Sequence, residues 1–249
     1  MSSSTRPPDV APAVRVGVVS ARHTAGIRVL LAVAYVVLSH LASDRNDGAL
    51  ATLAVAVIVL IALLRPLLLP RAWAWATLAA CAAVLIALAH SGYALLPLML
   101  VPATLIGLVA YGFSRTLVHG RVPLITRMVA GLDGISASAL AADLRDYTRR
   151  LTQAWAVLLA ALAVLNLFLS AIVVPNGVLA MLGVASPLPV SQSNVSWLGG
   201  AANLGIMCGF FLVEFTIRQR RFPGRYHSLF DFMQQMRKLG PEFWRDVMH

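Results

Sequence analysis

Residues 154–174 have the sequence AWAVLLAALAVLNLFLSAIVV, which contains no charged side chain. A helix that crosses the hydrocarbon core of a bilayer needs about 20 mostly apolar residues, and this stretch supplies them. Five other stretches come close to this length and polarity: residues 26–42, 49–69, 72–89, 93–113 and 197–217. We therefore predict an all-α, polytopic membrane helix bundle with six transmembrane helices.

The composition excludes a soluble domain of this size. Of the 249 residues, 59% are hydrophobic and only 12% are charged, whereas soluble domains carry about 25% charged residues. The net charge of +10 would suggest a nucleic-acid partner only if it formed a basic face on a soluble domain. Here the basic residues lie almost wholly between the apolar stretches, so we expect membrane lipids, and no nucleic acid, as partners.

The basic residues also predict the orientation, because Lys and Arg resist translocation and stay in the cytoplasm. If six spans alternate across the membrane, 19 of the 20 Lys and Arg residues fall on one side. Only Arg45 falls on the other side. The sequence therefore predicts an N-in/C-in topology.

The segments outside the bilayer differ in character. We predict a disordered cytoplasmic tail over residues 1–25, before transmembrane helices 1–4 at 26–113. Next come a cytoplasmic basic loop at 114–151, transmembrane helices 5–6 at 152–217 and a cytoplasmic amphipathic tail at 218–249. Within the loop, Ser138 is a candidate helix cap. Leu140, Leu144, Tyr147 and Leu151 then form an apolar stripe on a helix that runs into the fifth span.

Basic side chains are the main feature of the predicted inner surface, where each gains roughly 1 kcal/mol from anionic lipid. The candidates in the loop and at the end of the sixth span are Arg115, Arg121, Arg127, Arg149, Arg150, Arg220 and Arg221.

Polar side chains inside apolar spans are costly and are therefore functional candidates. Glu214 could bind an ion or proton, although pairing with Arg218 one turn later is favoured. Asn166 and Asn203 are predicted to hydrogen-bond to each other or across the bundle.

Two histidines, His40 and His90, lie near the predicted outer ends of spans. They could form a proton or metal site, but snorkelling to the interface or a hydrogen bond across helices is the favoured interpretation. The sequence contains no P-loop, HExxH, GxSxG or CxxC motif. We therefore expect no cofactor and no metal, and an ATP-driven or zinc-dependent activity is disfavoured.

Several short stretches, taken together, resemble a known protein family. They are YGFSRTL at 111–117, PLITR at 123–127 and YTRRLTQAW at 147–155, together with Glu214 and RRFP at 220–223. Their order resembles an uncharacterised family of bacterial inner-membrane proteins encoded in aryl polyene and xanthomonadin-type pigment gene clusters. The resemblance covers roughly residues 105–225, and it departs from the family at residues 131–141 and after Phe222. It implies a multi-pass protein of the bacterial inner membrane and a pathway context, and it transfers no catalytic residue.

These observations lead us to expect an accessory protein that supports polyene-lipid pigment biosynthesis at the membrane, with a non-catalytic role favoured over an enzymatic one. Cytoplasmic fatty-acid or polyketide-type biosynthetic enzymes are the partners that the resemblance implies. One alternative is a transporter or flippase for a hydrophobic lipid-like product, with a groove lined by Asn166, Asn203 and His40. Another is a membrane-bound acyltransferase, for which His119 is the candidate base. The sequence does not indicate the oligomeric state.

Overall fold

The computed structural model describes residues 13–69, 71–118, 120–175, 177–188, 190–191, 194–195 and 198–222. The first helices are α1 (Ala13–Arg45), α2 (Gly48–Leu68), α3 (Ala72–Ala89) and α4 (Leu96–Arg115). They are followed by α5 (Leu124–Asp133), a 3₁₀ turn (Ala137–Ala139), α6 (Ala142–Ile172) and α7 (Val178–Met181). A π-helical turn (Leu198–Ala202) leads directly into α8 (Asn203–Arg221). Strands β1 (Val173–Val174) and β2 (Val190–Ser191) form a short parallel pair.

Six helices in these ranges are long and apolar enough to cross a membrane. They are Thr24–Arg45, Gly48–Leu68, Ala72–Ala89, Leu96–Arg115, Ala142–Ile172 and Leu198–Arg221. Large apolar side chains on them point outward, as with Leu30 at 70% and Val157 at 68% exposure. Such a surface suits a lipid solvent, so the prediction of a multi-pass helical membrane protein is confirmed.

The described residues form two compact units that divide after Leu98. In the first unit, α2 packs between α1 and α3, and Ala42, Ala51 and Ala54 form a small buried cluster. The α1–α2 turn is fixed by Asp47, whose carboxylate accepts from the backbone N–H groups of Ala49 at 2.8 Å and Leu50 at 3.2 Å. These N–H groups have no partner within the helix, so the side chain caps α2.

In the second unit, α4, α6 and α8 are connected by aromatic contacts. The Trp155 ring on α6 lies 6.3 Å from Phe113 on α4 and 4.8 Å from Phe210 on α8, measured between ring centroids. At about 1.5 Å per residue, α6 is about 46 Å long, whereas the hydrocarbon core is about 30 Å thick. Its first turns therefore extend beyond the core, and α5 packs against them.

Several predicted boundaries differ from the structure. Residues 13–25, predicted as part of a disordered tail, are helical, because no proline follows Pro12 to interrupt the run into the first span. Helix α4 begins at Leu96, after a turn in which Ser91 accepts from the Tyr93 N–H. Ser138 does not cap α6, because it lies in the 3₁₀ turn and α6 starts after Ala141. The predicted amphipathic tail beyond Phe222 lies outside the described residues.

Candidate functional site

A network of threonine hydroxyls holds α5 against α6. The first turn of α5 has free N–H groups, as every helix start does. Thr116 accepts from the Leu124 N–H at 3.0 Å, and Thr152 on α6 accepts from the Ile125 N–H at 3.3 Å. These two hydroxyls do for α5 what an N-cap residue usually does, since its own N-cap position is Pro123.

A buried hydroxyl pair completes this network. Thr126 and Thr148 are almost fully buried, and their Oγ1 atoms are 2.8 Å apart. Thr148 donates its hydrogen to the Arg145 carbonyl at 3.0 Å, so Thr126 is the donor within the pair. Because each hydroxyl has a defined partner, the network fixes the angle at which α5 meets α6.

The carboxylate of Glu214 connects α6 to α8. Arg218 donates from both Nε, at 2.8 Å, and a terminal nitrogen to the two Glu214 oxygens, forming a bidentate ion pair. Tyr147 on α6 donates its hydroxyl to Glu214 Oε1 at 3.0 Å. Glu214 and Arg218 are both buried, so the predicted pairing is confirmed and is shielded from solvent.

The Tyr147 ring is enclosed by the end of α8. The Phe222 ring meets it edge-on with centroids 5.4 Å apart, and the Arg221 guanidinium lies 5.8 Å from its centroid. Phe222 also packs against the buried cluster of Val129, Ala130, Leu140 and Leu144. Of the predicted stripe, Leu144 and Tyr147 therefore lie on the face of α6 that holds α5 and the end of α8, whereas Leu140 precedes α6.

The arginines predicted at the inner surface lie around this assembly. Arg121, Arg149, Arg150, Arg220 and Arg221 are exposed, while Arg115 and Arg127 are half-buried. Two of them, Arg121 and Arg149, also line an open cavity of about 300 Å³. The other residues that line it are Val122, Pro123, Thr126, Ala137, Ser138, Arg145 and Asp146.

The two asparagines of the spans are in contact, as predicted. Asn203 donates from Nδ2 to Asn166 Oδ1 at 3.1 Å and to the Gly199 carbonyl at 2.9 Å, while Asn166 donates to the Leu162 carbonyl. Both side chains are buried. Asn203 Oδ1 is buried without a hydrogen-bond partner among the described residues, which makes this pair an incomplete polar contact.

The structure gives the two predicted histidines different surroundings. His40 is exposed, and its Nε2 lies 3.6 Å from the Asp44 carboxylate one turn later. His90 is the exposed residue that follows α3. His119 lies outside the described residues. Within the part of the chain that the structure describes, no group of three His, Cys, Asp or Glu side chains is placed to hold a metal ion.

Sequence reasoning missed the threonine network, the Tyr147–Glu214 bond and Arg145 as a lining residue of the cavity. The one sequence signal was that four threonines fall within the stretches that carry the family resemblance: Thr116, Thr126, Thr148 and Thr152. Their partners are up to 27 residues away, as for Ile125 and Thr152. No helix periodicity encodes such a distance.

No protein-family model, curated protein or solved structure matches this chain.

Proposed function

We propose that this multi-pass membrane protein is a non-catalytic accessory protein that supports polyene-lipid pigment synthesis at the bacterial inner membrane. One observation carries the proposal: the separate stretches of sequence that carry the family resemblance contact one another in the fold. Thr116 contacts α5, Thr148 and Thr152 hold α5 on α6, and Tyr147 contacts Glu214. Arg221 and Phe222 close over the same tyrosine.

The hydrogen bonds within this assembly favour a non-catalytic binding role over an enzymatic one. Glu214 is buried and accepts from Arg218 and Tyr147, so both of its oxygens are occupied. A carboxylate held in this way is a structural ion-pair partner and is poorly placed to transfer protons to a substrate. The exposed arginines beside it suit a binding surface for acidic groups on lipids or on pathway enzymes.

Deletion of the gene in a bacterium that makes such a pigment tests the proposal. We expect pathway enzymes to be lost from the membrane fraction, and pigment to fall in parallel. Retention of the enzymes, with a pigment precursor accumulating at the inner membrane, would contradict the proposal and favour a transporter or flippase.

Complementation with variants sharpens this test. Replacing Arg149 and Arg150 with Gln removes two exposed charges from the proposed binding surface, so we expect the enzymes to leave the membrane fraction. Arg45→Gln is the matched control, because Arg45 is exposed and is predicted to lie on the opposite side of the membrane.

The His119→Ala variant tests the acyltransferase alternative, and we expect it to retain pigment. Loss of pigment with the pathway enzymes still membrane-bound would favour that alternative.

A further inference from the structure

The open cavity beside α6 carries a concentration of positive charge. It is bounded by the loop before α5, the first turn of α5, the 3₁₀ turn and the first turns of α6. Arg121, Arg145 and Arg149 line it, and Asp146 is the acidic residue in its wall. In the part of the chain described by the structure, none of these three arginines forms an ion pair with a carboxylate.

This concentration of positive charge makes an anion a favourable occupant. Arg145 and Arg149 are one turn apart on α6, where like charges repel each other and destabilise a helix. Arg121 approaches from a different segment, which follows Gly120 with its left-handed φ of 83°. An anion between the guanidinium groups would replace this repulsion with charge-assisted hydrogen bonds.

The chemistry of the lining favours a phosphate group. The guanidinium fork matches two phosphate oxygens at once, and three forks around one cavity can surround a tetrahedral anion. The Ser138 hydroxyl at the rim, 3.1 Å from that of Ser136, is exposed and adds a neutral donor. The cavity volume of about 300 Å³ is at the lower end of the range for small-molecule sites, which is about 300–1,000 Å³.

The position of the cavity along α6 favours a phosphate that belongs to a lipid. Arg149 lies five residues before Ala154, where the apolar 154–174 stretch begins, which is about 8 Å along the helix axis. Arg145 is one further turn away from that stretch. These distances place the guanidinium groups at headgroup level, and basic pockets beside membrane helices commonly bind anionic headgroups.

We propose that Arg121, Arg145 and Arg149 form a binding site for the phosphate of an anionic phospholipid headgroup. The site does not depend on the pigment context, so it can stand or fall separately from the proposed function. Its occupant would bridge the loop before α5 to α6, and would thereby stabilise the α5–α6 assembly.

Native mass spectrometry of the full chain in neutral detergent, titrated with phosphatidylglycerol, tests this site. We expect Arg149→Gln to weaken lipid binding about tenfold, as loss of a charge-assisted contact does. Arg45→Gln is the matched control, because it removes the same charge from an exposed residue that neither lines the cavity nor belongs to the proposed basic surface, and it should leave binding within about twofold. Equal weakening by both variants would overturn the proposal, because it would show unspecific attraction.

Two further arms keep the result interpretable. Arg121→Gln changes the loop and leaves α6 intact, so it should weaken phosphatidylglycerol binding even if Arg149→Gln disturbs the helix. Unchanged binding in Arg121→Gln would overturn the three-arginine site. Inorganic diphosphate serves as the soluble probe: if it binds to the wild type and loses affinity in Arg149→Gln while phosphatidylglycerol does not, the lipid assignment is overturned.

Discussion

Glu214 accepts three hydrogen bonds, two from Arg218 on its own helix and one from Tyr147 on α6. We therefore expect its ion-pair partner, Arg218, to contribute strongly to stability. Arg218→Ala would leave the buried carboxylate without its countercharge, which costs about 3–5 kcal/mol when a buried pair is broken. Tyr147→Phe removes one hydrogen bond to a charged group, so we expect a smaller loss of about 1.5–3 kcal/mol. Thermal unfolding in detergent micelles measures both effects.

The control for this prediction lies two residues away. Arg220 is exposed on the same helix, and its replacement with Ala should change stability by no more than about 0.5 kcal/mol. The double variant Glu214→Ala with Arg218→Ala should lose less than the sum of the two single variants, because no unpaired charge stays buried. If Arg218→Ala and Arg220→Ala unfold at the same temperature, the ion pair has no structural role.

At the same scale, Asn203 Oδ1, which has no hydrogen-bond partner among the described residues, predicts how well different replacements of Asn203 are tolerated. Asn203→Leu removes a hydrogen bond of the kind that averages about 0.6 kcal/mol in membranes, and it also removes the unsatisfied oxygen. Asn203→Asp instead places a second oxygen opposite Asn166 Oδ1 and the Gly199 carbonyl, and a charge in a span costs about 2.5–3.5 kcal/mol. In thermal unfolding in detergent, we expect the Asn203→Asp variant to be much less stable than the Asn203→Leu variant. The opposite order would refute the assigned orientation of the Asn203 amide.

At the scale of elements, α5 depends on hydroxyls from outside itself. Thr152→Val keeps the side-chain shape but leaves the Ile125 N–H without its acceptor, which resembles the loss of an N-cap and should cost about 1 kcal/mol. Hydrogen exchange should therefore accelerate over Leu124–Asp133.

Thr216→Val on α8 is the matched control for this exchange experiment. Thr216, like Thr152, donates to the carbonyl four residues before it, but Thr216 is exposed. Its replacement should leave exchange in α5 unchanged. Faster exchange in both variants would mean that the hydroxyl of Thr152 is not what holds α5.

Local contacts and features that depend on polarity alone could be predicted from the sequence. The spans are evident from uncharged stretches, the Glu214–Arg218 pair from a spacing of one turn, and the Asn166–Asn203 bond from the need of amides for partners in hydrocarbon. The Tyr147–Glu214 bond joins residues 67 positions apart, and no periodicity encodes it. Helix α5 was missed because its ten residues are stabilised by contacts with α6 more than by their own propensity.

At the scale of the whole molecule, the basic residues predict which side of the membrane each loop occupies. In a background with Cys81 and Cys208 replaced, Gly92→Cys tests the loop between α3 and α4, and Ser136→Cys tests the loop that contains the cavity. Both positions are accessible, since Ser136 is exposed and a Cβ at Gly92 meets no atom within 4 Å. Because Lys and Arg stay cytoplasmic, a membrane-impermeant maleimide should label Gly92→Cys in intact spheroplasts and label Ser136→Cys only after lysis.

Labelling of Ser136→Cys before lysis would invert the predicted orientation and place the arginine-lined cavity on the outer side. It would also separate that cavity from any cytoplasmic enzyme, so this experiment bears on the proposed function while leaving the phosphate site itself open to test.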